Sequence, residues 1–267
     1  MRYKMAKSIC KKKKRARSTI SALHYFKLVY RSLLFIAAFV EYFFTRLENI
    51  SGRFPLVLSI IWIVFAFEIV LRFFPSKHES MGCQKQFERN YKPVESSSGV
   101  INDKVPGKKT FFVFLSWIVL NGIIAALYFT GIIDRGILIL ISLFYSVCDM
   151  ICILFFCPFQ TLMLKNRCCA TCRIYNWDYS MMFTPLVLIP NIFALSLFAM
   201  SFLLLLKWEI TYKKYPERFY PSTNECLSCA NCREKLCAHK VQLKYFWRTE
   251  YERIKKLKGK IIKSKKE

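Results

Sequence analysis

The chain has 267 residues, 54% of them hydrophobic, yet it carries 42 Lys and Arg against 17 Asp and Glu, a formal net charge of +25. A soluble domain is about 45–50% apolar with near-balanced charge, and a disordered polycation is poor in aromatics, whereas 16% of this chain is Phe, Trp or Tyr. Oil and cations must be segregated along the chain, as in a membrane protein with basic ends; length excludes a small disulfide-stapled domain, and 8 Gly with 9 Pro exclude collagen-like and low-complexity sequences.

The first residues are polar and basic, with a run from Lys11 to Arg15 plus Arg17. This run lies far from the first apolar stretch and no small-residue cleavage site follows, so it reads as an orientation anchor that meets anionic lipid rather than as a cleaved signal. Between Arg31 and Arg46 lie fourteen residues with Glu41 among them. At 1.5 Å per residue they extend about 21 Å, short of a hydrocarbon core of about 30 Å. Residues 20–50 are therefore expected as an interfacial helix, with a first membrane span as the alternative.

Phe54 to Phe74 reads as a span that contains Glu68 and Arg72, one turn apart and able to pair. The loop at 76–109 lacks periodicity and is expected to be irregular. Thr110 to Ile133 is an uncharged span, and Asp134-Arg135 form a tight hairpin to a third span, Gly136 to Cys157, whose one charge is Asp149. Asp149 has no basic residue in its own helix, so it must pair with another span, face the bundle or be protonated, and membrane carboxylates are functional candidates by default. Cys148 and Cys152, four apart, share a helix face with each other. Met181 to Leu206 is the last uncharged stretch and is expected to cross once, with Pro185, Pro190 and Asn191 as the only places where it could break and return.

Two cysteine groups flank that last stretch. The first is Cys168-Cys169-x2-Cys172, with Cys157-Pro158 upstream; its C-x-x-C spacing lets one thiolate be stabilised while the other resolves a mixed disulfide. Four-helix membrane thiol oxidoreductases carry a pair in a similar place but need a second pair to relay electrons, and the other loop on that side offers only Cys83. The second group is Cys226-x2-Cys229-x2-Cys232-x4-Cys237-x-His239, a spacing that points several thiolates inward from one turn and suits zinc or an iron–sulfur cluster. Cys226, Cys229, Cys232, Cys237 and His239 are the expected metal ligands, Cys168, Cys169 and Cys172 a possible second group, and Cys169, Cys172 and Asp149 the catalytic candidates. If 181–206 crosses once, the two groups sit on opposite faces.

From 240 to 267, Leu243, Trp247, Tyr251, Ile254, Leu257 and Ile261 form one apolar stripe on an otherwise basic helix, the form of a membrane-surface helix on anionic lipid head groups. A basic patch also serves nucleic acid, but no nucleic-acid motif accompanies this one. With four spans the Lys and Arg divide 31 against 11, and with five spans 22 against 20. The positive-inside bias therefore favours four spans with both termini cytoplasmic. No nucleotide, hydrolase or metalloprotease motif occurs.

The sequence thus implies an all-α polytopic bundle: a basic N-terminus and interfacial helix (1–50), a transmembrane bundle (51–206, with spans near 54–74, 110–133, 136–157 and 181–206), a Cys-rich juxtamembrane motif (207–239) and a basic amphipathic tail (240–267). The expected function is a multi-pass protein of a bacterial plasma membrane with a zinc or iron–sulfur site and a thiol pair, redox- or metal-linked. The alternative is a non-enzymatic scaffold whose zinc-knuckle tail docks a protein partner or anionic lipid. Thiol redox chemistry is the one enzyme activity this pattern suggests.

Overall fold

The structure is a computed structural model of the full chain and describes residues 19–48, 54–75, 82–94, 107–164 and 171–228. Its elements are helical: α1 (Thr19–Glu48), α2 (Phe54–Phe73), α3 (Gly82–Gln86), α4 (Gly107–Phe129), α5 (Arg135–Leu154), α6 (Asp178–Phe183) and α7 (Ile192–Lys214), joined by short 3-10 turns and one π turn at Phe159–Met163. Four helical stretches are long and apolar enough to cross a membrane: Ala22–Phe44, Gly107–Phe129, Arg135–Leu154 and Ile192–Lys214. α2 adds a further twenty-residue helix.

The interfacial helix expected at 20–50 does not lie apart from the bundle. α1 runs antiparallel to α5 along its whole length: Tyr25 meets Phe155 with ring centroids 6.3 Å apart, Phe35 meets Phe144 at 6.1 Å, and Tyr42 donates a 2.8 Å hydrogen bond to Asp134. Arg31, which looks in sequence like the charged end of an apolar segment, is fully buried between these points. Carboxylates from other helices neutralise it, so the apolar segment continues through it.

The turn between α4 and α5 follows the expected hairpin. Gly131 takes φ +76°, a left-handed conformation that favours glycine, and Asp134 caps α5 by accepting from Ile137 N at 2.9 Å. α4 buries only Val113 and Ile124 and exposes Phe111, Phe112, Leu115, Val119 and Ile123, an apolar surface suited to a helix that crosses a membrane.

The last apolar stretch is not a single helix. α6 stops at Phe183, a 3-10 turn with Pro185 spans Thr184–Leu188, and α7 starts at Ile192, capped by Asn191 accepting from Phe193 N at 2.9 Å. Proline rings and the Asn cap break the helix at these positions. α2 shows the direction of each arm. Going along the chain, Asp178 meets Arg72, Tyr179 meets Glu68, Phe183 meets Phe65 and Phe193 meets Trp62, so the segment descends beside α2. α7 then climbs back, with Ser196 accepting from Trp62 at 2.8 Å and Lys207 donating to Phe73 O at 2.6 Å. Both arms thus lie beside α2, and α7 on its own is long and apolar enough to cross a membrane.

One end of the bundle is closed by a polar cap. The loop expected to be irregular at 76–109 contains α3 and a 3-10 turn at Glu88–Asn90. The 216–227 region docks on it: Asn224, fully buried, donates to Lys85 O at 3.0 Å and Arg218 O at 2.9 Å, pairs in a single bridge with Pro93, and Glu225 N donates to Lys92 O at 2.9 Å. From the other side, Asn176 donates to Gln86 Oε1 at 2.8 Å.

Candidate functional site

Two arrangements of polar side chains stand out. The first is an ionic cluster inside the bundle. Arg31 from α1 donates to Glu68 of α2 at 2.7 Å, to Asp149 of α5 at 3.2 Å, to Ser146 O at 3.1 Å and to the Tyr179 hydroxyl of α6 at 3.3 Å. Its guanidinium also lies 5.3 Å from the Phe65 ring centre. Lys27 sits 3.0 Å from Glu68, and the hydroxyls of Tyr30 and Tyr179 donate to the same carboxylate. One turn nearer the cap, Arg72 pairs with Asp178 at 2.6 Å and stacks over Tyr179 at 4.6 Å.

The expectation for Glu68 and Arg72 was a local pair; each instead finds an opposite charge on another element. Asp149 takes the first of its three expected options, pairing with another helix through Arg31. The cluster is balanced, with Lys27, Arg31 and Arg72 against Glu68, Asp149 and Asp178, and it ties α1, α2, α5 and α6 together. Apolar packing between helices gives little preference over lipid, so such buried pairs and hydrogen bonds are a main source of specificity in a bundle of this kind.

The second arrangement lies at the cap. Arg173 forms a bidentate pair with Glu209 of α7 at 2.8 and 2.5 Å and stacks over Tyr212 at 3.8 Å, while the Trp177 indole N–H donates to Glu209 at 2.6 Å. A cavity of about 380 Å³ opens beside them, walled by Phe111 and Phe114 of α4. Cys172, next to Arg173, is buried and shares a smaller space with Gln86, Phe219 and Tyr220. Burial and a short hydrogen bond with Tyr212 push the Tyr220 phenol well above its ordinary range. Cys226 donates to Asn90 O at 3.2 Å, and its own N–H is held by Asn224 Oδ1 at 3.1 Å.

Of the expected site residues, Asp149 thus belongs to the core cluster, and Cys172 and Cys226 belong to the same cap. Cys168, Cys169, Cys229, Cys232, Cys237 and His239 lie outside the described residues, as does the amphipathic tail at 240–267. Among the described residues no group of three His, Cys, Asp or Glu is arranged to hold a metal ion. Sequence reading marks Arg173 and Trp177 as chemistry-bearing loop residues but does not single out Tyr179 or join Glu209 to Arg173 and Trp177. A charged residue one turn beyond an apolar run, as Glu209 is, was the available signal.

These features define the class: an all-helical chain with four helices long and apolar enough to cross a membrane, a neutral ionic core and a polar cap at one end. No family model, curated protein or solved structure matches this chain.

Proposed function

We propose that this is a bacterial plasma-membrane protein whose two cysteine groups act together on one face as a metal centre, zinc or iron–sulfur. In this reading α1, α2, α4 and α5 cross the bilayer, and α6–α7 form a re-entrant hairpin that enters and leaves through the cap. The observation that carries it is the shared location of Cys172 and Cys226: one borders Gln86, the other binds Asn90 O, at the two ends of the same short cap segment. The remaining members of each group are near in sequence, Cys168 and Cys169 within four residues of Cys172, and Cys229, Cys232, Cys237 and His239 within thirteen of Cys226.

Charge supports the orientation. In sequence, only Arg46 and Arg53 lie between Arg31 and Arg72, and only Arg135 between Lys109 and Lys165, so the far ends of the four crossing helices are served by three cations of 42. The asymmetry is much steeper than that of either topology drawn with a crossing at 181–206, and it supports a cytoplasmic cap. Structural disulfides are rare there, whereas cysteine clusters holding metal are common. The basic N-terminus and the 240–267 stripe then lie on the same side, next to anionic head groups.

The test is metal content of the purified full chain. Bound zinc or iron should drop by at least half in Cys229→Ser plus Cys232→Ser and again in Cys172→Ser. Absorption near 400 nm marks an iron–sulfur cluster and an electron-transfer role, while colourless zinc marks a structural knuckle that docks a partner. Metal content that survives all three substitutions would sink the proposal.

A further inference from the structure

The end of α5 holds a second thiol pair. Cys152, in the last turn of α5, and Cys157, three residues beyond its end, share a side-chain hydrogen bond. Neither is in a disulfide, and both are half-buried. Cys157 sits between Phe156 and Pro158, both exposed. The Gln160 backbone N–H points at Cys157 Sγ from 3.4 Å.

We propose that Cys152 and Cys157 form a reversible dithiol–disulfide couple on the cap side of the membrane, reacting with low-molecular-weight disulfides. This goes beyond the metal reading and stands without it, because neither thiol belongs to either expected ligand group. The chain supplies the geometry that such a couple needs. Cys157 lies outside the helix, so the backbone from Phe155 to Cys157 can adjust as the sulfurs close to bonding distance. Cys148 has no such freedom. It projects from the same helix as Cys152 one turn away, and side chains that leave a helix in parallel do not converge on a disulfide.

The roles differ between the two sulfurs. Cys157 is the attacking thiol, since the Gln160 N–H stabilises its thiolate and both of its chain neighbours are exposed. Cys152 sits in the last helical turn, where the dipole disfavours an anion, and acts as the resolving thiol. In the first step the Cys157 thiolate attacks one sulfur of the small disulfide, which forms a mixed disulfide and releases one thiol. In the second, Cys152 attacks the Cys157 sulfur, closing the Cys152–Cys157 bond and releasing the other thiol. The protein gives up two electrons and two protons, and both appear on the two released thiols. In a cytoplasmic position such a bond is transient, as expected of a redox sensor or relay.

The test uses the full chain equilibrated with reduced and oxidised dithiothreitol at a series of ratios, acid-quenched, alkylated and digested with trypsin. Cleavage after Arg135 and Lys165 leaves all three thiols, Cys148, Cys152 and Cys157, in one peptide. Under reducing ratios that peptide should carry three alkyl groups; under oxidising ratios it should carry one, on Cys148. In Cys157→Ser it should carry two at every ratio. Three alkyl groups throughout the wild-type series would overturn the proposal. So would a surviving alkyl group on any residue but Cys148, or a linkage from Cys157 to a different peptide. Metal content of the same sample reports on the metal centre separately, so either idea can fail while the other stands.

Discussion

Arg31 and Asp149 are 118 positions apart in sequence and meet at 3.2 Å inside the bundle, with Glu68 closing on the same guanidinium at 2.7 Å. One cation thus holds two acids from two helices. Removing it strands Asp149 but leaves Glu68 paired with Lys27 at 3.0 Å, whereas removing one acid leaves the guanidinium still paired.

Arg31→Ala is therefore expected to cost about 3–5 kcal/mol, the range for breaking a buried pair by deleting one partner. Thermal unfolding in detergent measures it. Asp149→Asn should cost less than half as much, because Glu68 still neutralises Arg31. Adding Asp149→Asn to Arg31→Ala should recover part of the loss, since it removes the stranded charge. Strict additivity of the two substitutions would show that the residues are not coupled.

Asn224 joins the tail-proximal segment to α3 by donating to Lys85 O, and braces its own segment by donating to Arg218 O and accepting from Cys226 N. Asn224→Ala leaves the Lys85 and Arg218 carbonyls without this donor, at about 1–3 kcal/mol. The loss should be local. Amide exchange at 82–94 and 216–227 should quicken while α1 and α5 keep their protection, and uniform exchange across the chain would count against a separate cap.

At the far turn, Gly131 has a positive φ of 76° and open space where a side chain would go. Gly131→Ala is then a purely conformational substitution, expected to cost about 1–2 kcal/mol. Gly131→Asn should cost less, since Asn enters the left-handed region more easily. Equal destabilisation by both would point to a steric cause instead.

Much of the architecture was legible from hydropathy alone, because a run of twenty apolar residues has few ways to bury its backbone. The helices at 54–73, 107–129 and 135–154 fall within a few residues of the expected spans. What escaped has one physical root. Hydropathy treats a charge as a boundary, yet Arg31, Glu68 and Asp149 cancel one another across helices that a linear reading cannot bring together. For the same reason α1 was read as an interfacial element. The break at Pro185 and Pro190 was visible, but proline also occurs in continuous spanning helices, and only the contacts of Tyr179, Phe183 and Phe193 along α2 show which way the chain turns. The joint location of Cys172 and Cys226 follows from that turn.

Topology can be read directly with an impermeant thiol reagent. Ile132, 68% exposed in the α4–α5 turn, lies at the end of the bundle away from the cap. In intact cells the reagent should label Ile132→Cys and spare the native groups at 168–172 and 226–237. In inverted vesicles the pattern should reverse, with both native groups reacting from the same side. A single crossing by 181–206 makes a different forecast, because it puts one native group on each face whichever way the protein is oriented. Labelling of only one group in intact cells would therefore remove the re-entrant hairpin and the shared metal centre built on it. The Cys152–Cys157 couple would survive that result, since its two sulfurs meet within the end of α5 and the residues just after it.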